Sequence, residues 1–172
     1  MQASTSTFHY REGSLADKEQ LKQLGIISYG QYKPQLTEES FNVLHRNLSD
    51  DSKVEALIAG SKCFVCLDGE SIVGMAYLVS SGNPWDVYPA DWSYIRMVGV
   101  NPAYQGRGIA RQLTQQCIDY ARQTGETTLA LHTSEMMDAA RHLYESLGFK
   151  QLREIEPRFG KRYWLYLLEL EK

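Results

Sequence analysis

The chain has 172 residues, 43% of them hydrophobic and 23% charged, with a formal net charge of -3 at neutral pH. That is enough sequence for one domain with a substantial core, and the acidic balance argues against nucleic acid as the main partner, because phosphate backbones are gripped by basic faces. No apolar run approaches the roughly 20 residues of a membrane span and the opening Met1-Gln2-Ala3-Ser4-Thr5-Ser6-Thr7 lacks a basic-then-apolar leader pattern, so the expectation is a single domain over residues 1–172, in the cytoplasm and without a membrane partner.

Residues 7–11 alternate as a first strand would. Ser14 suits the N-cap of a helix running to about Tyr29, with Leu15, Leu21, Leu24 and Ile27 apolar. Thr37, followed by Glu38 and Glu39 where a helix dipole is positive, starts another. Phe41, Leu44 and Leu48 share a face, Ser49-Asp50-Asp51-Ser52 interrupts it, and Val54, Leu57 and Ile58 resume it as far as Gly60. The expectation is a helical pair between the first two strands. Residues 62–67 and 72–79 read as strands joined through Asp68-Gly69-Glu70-Ser71, a hairpin signal. Cys63 and Cys66 have metal-like spacing, but three residues apart on a strand they point to opposite faces. With Cys117 the count is three, which suggests no disulfide framework, and no metal is expected.

Residues 80–92 form the longest irregular stretch and carry Trp85, Tyr88 and Trp92. Either these aromatics meet a substrate or they fold back to cover the sheet. Trp85, together with Tyr94 just beyond the loop, is a candidate substrate contact. Residues 94–100 are apolar and partly β-branched, as in a buried strand. Asn101-Pro102-Ala103-Tyr104-Gln105-Gly106-Arg107-Gly108-Ile109-Ala110 then leads directly into a helix marked by Leu113, Cys117, Tyr120 and Ala121 and ended by Gly125. Such a junction leaves backbone N–H groups without intrahelical partners at the positive end of a helix dipole, which suits an anion and above all phosphate. Gly106 and Gly108 let the backbone approach a ligand closely, although a two-glycine turn between strand and helix is also a common packing device. A strand at 129–133, a helix reaching Gly148-Phe149, and two closing strands at 149–155 and 162–170 about Arg158-Phe159-Gly160-Lys161 complete the chain. The order β-α-α-β-β-β-α-β-α-β-β predicts an α/β (α+β) fold: a mixed, mostly antiparallel sheet with helices on both faces. The strand before the glycine loop and the strand at 129–133 should be neighbours and parallel across the crossover helix.

Two segments together carry a resemblance. Gln105-Gly106-Arg107-Gly108-Ile109-Ala110 is similar to the acyl-CoA pyrophosphate loop, Gln/Arg-x-x-Gly-x-Gly/Ala, of the GCN5-related N-acetyltransferases (GNAT). Leu143-Tyr144-Glu145-Ser146-Leu147-Gly148-Phe149 resembles that family's later Leu-Tyr-x-x-x-Gly-Phe segment, in the family's order and at a typical separation. The resemblance implies acetyl-CoA as cofactor, lying in a cleft between splayed strands four and five, with CoA as product. Gln105, Gly106, Arg107, Gly108, Ile109 and Ala110 would hold the diphosphate, and Arg111 is either a further phosphate contact or a solvated helix residue. Main-chain N–H groups near Val98, Gly99 and Val100 would polarise the thioester carbonyl from a bulge, for which Gly99 is suited, and would pair with the pantetheine arm. The implied reaction is direct acetyl transfer, in a ternary complex, to the primary amine of a small molecule or protein. One acceptor wall would come from the early helices, and relatives often dimerise through their closing strands.

Acetyl transfer needs a neutral amine, a polarised carbonyl and a proton for the departing thiolate. A neutral tyrosine of pKa about 10 can protonate a thiolate whose conjugate acid has a pKa of roughly 8.5, and by its motif position Tyr144 is the general-acid candidate. Tyr94 stands where many relatives carry a glutamate base, which leaves His132, Glu135, Asp91 or water to take the amine's proton, His132 because its ordinary pKa lies near neutrality. Met137 stands where relatives often have a pantetheine-binding asparagine. The missing glutamate also motivates a second reading, a catalytically degenerate acyl-CoA-binding sensor.

Overall fold

The computed structural model describes residues 7–170, so residues 1–6, most of the segment read for a leader pattern, lie outside the described residues. In chain order the elements are β1 (His9–Glu12), α1 (Lys18–Gly30), α2 (Glu38–Ser49), α3 (Asp51–Ala59), β2 (Lys62–Asp68), β3 (Ser71–Val79), β4 (Ser93–Val100), α4 (Ile109–Gln123), β5 (Thr128–Ser134), α5 (Asp138–Ser146), β6 (Lys150–Arg158) and β7 (Lys161–Glu169). The strands form one sheet in the order β1-β2-β3-β4-β5-β7-β6. Every neighbouring pair is antiparallel except β4 and β5, which are parallel across α4 as the crossover geometry requires.

Residue alternation sends the two sheet faces into separate cores. On β3, Val73, Ala76 and Leu78 join α4 residues Leu113, Cys117 and Ala121. Ile72, Met75 and Tyr77 face the other way, onto Leu21 and Leu24 of α1 and Ile58 of α3. Gly74 sets how close α4 can come, because a Cβ there would lie 2.6 Å from Ile109 Cγ2 and 3.0 Å from Leu113 Cδ1. Cys63 and Cys66 fall in different cores, as strand spacing demands. Burial pushes the Cys63 thiol up to about 12, so it stays protonated. Among the described residues no His, Cys, Asp and Glu cluster could hold a metal, and no helix is long and apolar enough to cross a membrane.

The structure departs from the expected element order in one place: three helices, not a pair, precede β2. Asp50 sits at φ -78° and ψ 110°, outside helical space, and its carboxylate accepts the Lys53 N–H at 3.2 Å, so the interruption caps a separate α3. Both expected hairpins form. Asp68 pairs with Ser71 across Gly69-Glu70, and Arg158 pairs with Lys161 across Phe159-Gly160, whose φ angles of 55° and 74° put both central residues in the left-handed region.

Two features of β4 position the site. First, its pairing with β5 stops after Ser93–Leu129 and Tyr94–Ala130, so the strands part from Ile95 onward. Second, Arg96 lies opposite Tyr77 and Gly99 opposite Met75, which leaves Met97 and Val98 facing the single residue Ala76. This bulge corrects the expectation at Gly99: it is Met97 that takes the left-handed φ of 54°. Gly99 is small for a different reason, since a Cβ there would meet Met75 Cε at 3.0 Å and Ser28 Oγ at 3.3 Å, where α1 presses on the strand.

Candidate functional site

The opening between β4 and β5 is a cleft. Ile95, Met97 and Val98 line one wall, and Leu131, His132 and Thr133 line the other. The last turn of α1 and the residues just after it close one end through Ser28, Tyr29 and Tyr32, while Met137, Ala140 and Tyr144 close it from the α5 side. The bulge therefore lies in a cleft wall. Holding a non-glycine residue at positive φ costs on the order of 1–3 kcal/mol, which a packed surrounding must sustain; here Met97 Cε would come within 3.3 Å of a Cβ on Gly25, so α1 is that support. Asn101 N–H bonds Val73 O at 2.9 Å, and the antiparallel alternation then directs the N–H of Val100 toward the open β5 side.

The glycine loop follows from β4. Gly106 and Gly108 both adopt φ 79°, and a Cβ on either would meet no heavy atom within 4 Å, so the loop is left-handed at both and open on its outer side. No side chain caps Gly108, and the first bond of the α4 ladder runs from Gln112 N–H to Gly108 O at 3.0 Å. The N–H groups of Ile109, Ala110 and Arg111 thus precede the ladder and are arranged as donors to an anion. Other members of the motif take different parts. The Ile109 side chain is buried against β3, which leaves only its backbone for a ligand. Gln105 Nε2 donates to Gln31 Oε1 at 3.0 Å, tying the loop to the residue that follows α1. Arg107 lies over Phe8 and Tyr104. Arg111 is exposed on α4, where it donates to Ser146 Oγ at 2.8 Å and joins α4 to α5.

Tyr144 lines the cleft with only 7% of its surface exposed, its ring edge-on to Phe149 with centroids 5.9 Å apart. Burial pushes its phenol well above the ordinary value, with Tyr32 and Cys117 adding to the effect, so the hydroxyl keeps its proton throughout the physiological range. His132 also lines the cleft, and Tyr88 Oη lies 2.5 Å from its Nδ1. Burial, with Arg158 and Arg96 nearby and Asp86 opposing them, pushes the imidazole down to about 4. A ring with so little proton affinity is a weak base toward an alkylammonium. Glu135 is committed elsewhere, accepting Arg162 N–H at 2.7 Å, and neither it nor Asp91 is among the residues lining the cleft.

His132 gives a prediction for stability. Its folded value, about 4, lies below the ordinary 6.5, so on acidification the unfolded chain takes up the proton first. Its contribution is complete above about pH 6.5 and is lost progressively as pH falls toward 4. Urea unfolding at pH 7 and pH 5 should differ by roughly 2 kcal/mol from this group, and His132→Asn should remove that part of the pH dependence. An unchanged slope in the variant would assign the acid sensitivity to other groups.

The 80–92 loop resolves into both of its readings. Tyr88 is 2% exposed and folds back over the sheet, whereas Trp85 keeps 40% of its surface exposed. Tyr88 stacks on Tyr94 with centroids 4.3 Å apart, and Trp85 stacks on Tyr94 at 6.2 Å. Tyr94 is 3% exposed and its hydroxyl donates to Asn83 O at 2.9 Å. As a direct acceptor contact Tyr94 is therefore corrected: it is a buried support for Trp85 and Tyr88. Sequence reasoning missed Met97 and Arg96. The latter places its guanidinium 3.8 Å from the Trp85 ring centroid.

The profile of the Acetyltransferase (GNAT) family matches residues 27–149. N-alpha-acetyltransferase RimI of Mycobacterium tuberculosis is 45% identical over 58 residues, which are 34% of this chain and 35% of that protein. The chain spans 35–50% of the length of three curated relatives that it matches. Among solved structures, the paia N-acetyltransferase of Thermoplasma acidophilum in complex with coenzyme A has a TM-score of 0.78 at 15% identity, covering 95% of this chain and 99% of that one. The yncA protein of Salmonella typhimurium, solved with its cofactor acetyl-CoA, has a TM-score of 0.67 at 20% identity, covering 96% of this chain and 95% of that one.

Proposed function

Because this chain belongs to the GNAT acetyltransferase family, we propose that it moves an acetyl group from acetyl-CoA to the primary amine of a small molecule or protein, within a ternary complex. One observation carries the reading: the bulge, the splayed edge of β4 and the protonated Tyr144 all meet in one cleft, and β4 leads along the chain from that cleft to the uncapped start of α4. Residues 1–172 are read as one acetyltransferase domain, supported by a single sheet that draws strands from His9 to Glu169.

The cleft's residues fit acetyl-CoA. The N–H groups of Ile109, Ala110 and Arg111 and the dipole of α4 suit the diphosphate, and the glycines leave room for it. The free edge at Val98–Val100 suits the amide-bearing pantetheine arm, since an open strand edge pairs with extended amides. When bound, acetyl-CoA supplies an activated acyl group on sulfur. The amine's nitrogen forms the new C–N bond as the C–S bond breaks. Backbone N–H groups at the Met97–Val98 bulge stabilise charge on the carbonyl oxygen, and Tyr144 gives its proton to the departing sulfur. With His132 a weak base and no carboxylate among the cleft-lining residues, water takes both protons that the alkylammonium loses, one before attack and one after it, and returns one of them to Tyr144.

A free-thiol assay with acetyl-CoA across polyamines, amino acids, aminoglycosides and peptide N-termini tests the reading. The expected result is release of CoA above the acceptor-free background with at least one of these classes. Tight acetyl-CoA binding with no thiol release for any acceptor would instead support the sensor reading.

A further inference from the structure

Arg96 is a half-buried cation, and among the described residues no carboxylate pairs with it. Its surroundings make that notable. Arg11, Arg141, Arg158 and Arg162 all have acidic partners at 2.7–3.3 Å. The nearest acid in effect, Asp86, is already committed: both of its oxygens accept from Arg158 Nη2, at 2.7 and 2.8 Å. Withdrawing a cation from water without an ionic partner is costly, and burial does work against its charge. Among the described residues, the close contact that orients the group is Trp85, 3.8 Å away at the ring centroid. A guanidinium laid on an indole face keeps its in-plane N–H edge free, and that edge matches the two oxygens of a carboxylate.

Its position relates this edge to the chemistry. Arg96 stands between Ile95 and Met97, both cleft-lining, and immediately precedes the Met97–Val98 bulge. It shares its sheet face with Tyr94, two residues earlier, and so with the Tyr88–Tyr94–Trp85 stack rather than with the α4 core. That stack leads through Tyr88 to His132 on the opposite cleft wall.

We propose that Arg96 is the specificity residue for a carboxylate on the acceptor, and that the acceptor class is a free amino acid, with its amine and carboxylate a few bonds apart. The inference rests on the acetyl-transfer reading and sharpens its acceptor. A peptide N-terminus, whose first carbonyl is a neutral amide, leaves Arg96 unpaired. Trp85 is then the platform that fixes the guanidinium, and it stays partly exposed beside it.

The test compares the common free amino acids with their α-amides, by thiol release and by thermal shift of the CoA-saturated protein. Free acids should have KM values about tenfold to a hundredfold below their amides, the range of a charge-assisted hydrogen-bonded pair. Arg96→Gln should raise KM for the acids by a similar factor and bring the acid-to-amide ratio close to one, and Arg96→Lys, which keeps charge without the fork, should fall between. An unchanged shift of each variant by CoA alone shows that the fold and cofactor site are intact. Equal use of acids and amides by the unaltered protein, or a parallel loss for both in Arg96→Gln, overturns the assignment while the transferase reading stands. If no acceptor releases thiol, the transferase reading fails and the thermal-shift arm decides: stabilisation by amino acids that Arg96→Gln abolishes supports the carboxylate site, and no stabilisation by any amino acid overturns it.

Discussion

Tyr144→Phe is expected to lower kcat for acetyl transfer by about a hundredfold or more, the lower range of what a positioned general acid contributes, with the acetyl-CoA dissociation constant nearly unchanged. The argument is one of shape and proton affinity. Tyr144 is 7% exposed and its ring packs edge-on against Phe149, so phenylalanine occupies the same volume and the helix should keep its place. What is lost is a hydroxyl that burial keeps protonated, at a site where a thiolate with a conjugate acid of pKa roughly 8.5 must be released. A full kcat in the variant would mean that the leaving sulfur takes its proton elsewhere. A rise in KM for acetyl-CoA with kcat intact would make Tyr144 a binding residue. Measurable turnover in the unaltered protein would by itself remove the sensor reading, which arose from Tyr94 standing in place of a glutamate.

That replacement has a structural consequence. Tyr94 is not a substitute base: its hydroxyl is used by Asn83 O and its ring by Tyr88 and Trp85. Tyr94 serves as scaffolding, and the scaffold holds up Trp85, on which Arg96 lies. His132 follows the same pattern. Its contact with Tyr88 joins β5 to the loop, and its low proton affinity suits a neutral, structural imidazole better than a catalytic one.

The parts of the site that were legible in the amino-acid sequence are those whose cause is local. Gly106 and Gly108 mark left-handed turns that few other residues tolerate, and Leu143 to Phe149 is contiguous, so both segments can be recognised without knowing what they touch. The hairpin at Asp68–Ser71 is of the same kind. What was hidden depends on partners distant in sequence. Methionine carries no turn signal, and Met97 is driven to positive φ by the register of β4 on β3 and by the pressure of α1. Gly99 looked like the bulge because glycine permits one, whereas it is small to admit Ser28 and Met75. Arg96 looked like any strand arginine, and its lack of an acid becomes visible only once Asp86 is seen paired with Arg158, 72 residues further along the chain. The Ser49–Ser52 interruption was visible, but that it ends one helix and caps another follows from the Asp50 backbone and its bond to Lys53.

The second large effect concerns the loop on which the whole account depends. Gly108→Glu adds a side chain at φ 79°, where L residues are strained by about 1–2 kcal/mol, and it sets a negative charge beside the diphosphate site. At about 4 Å and an effective dielectric of about 20, that repulsion is worth ~4 kcal/mol, or nearly three orders of magnitude in affinity. Gly125→Glu supplies the matched control, since Gly125 has φ 81° and equally open space but lies at the far end of α4. The decisive measurement is calorimetric titration of acetyl-CoA into the unaltered chain and these two variants. The account predicts that the unaltered protein and Gly125→Glu bind alike and that Gly108→Glu loses binding by about a thousandfold. Equal affinity in all three proteins would contradict it, because the diphosphate would then rest somewhere other than the amides that open α4.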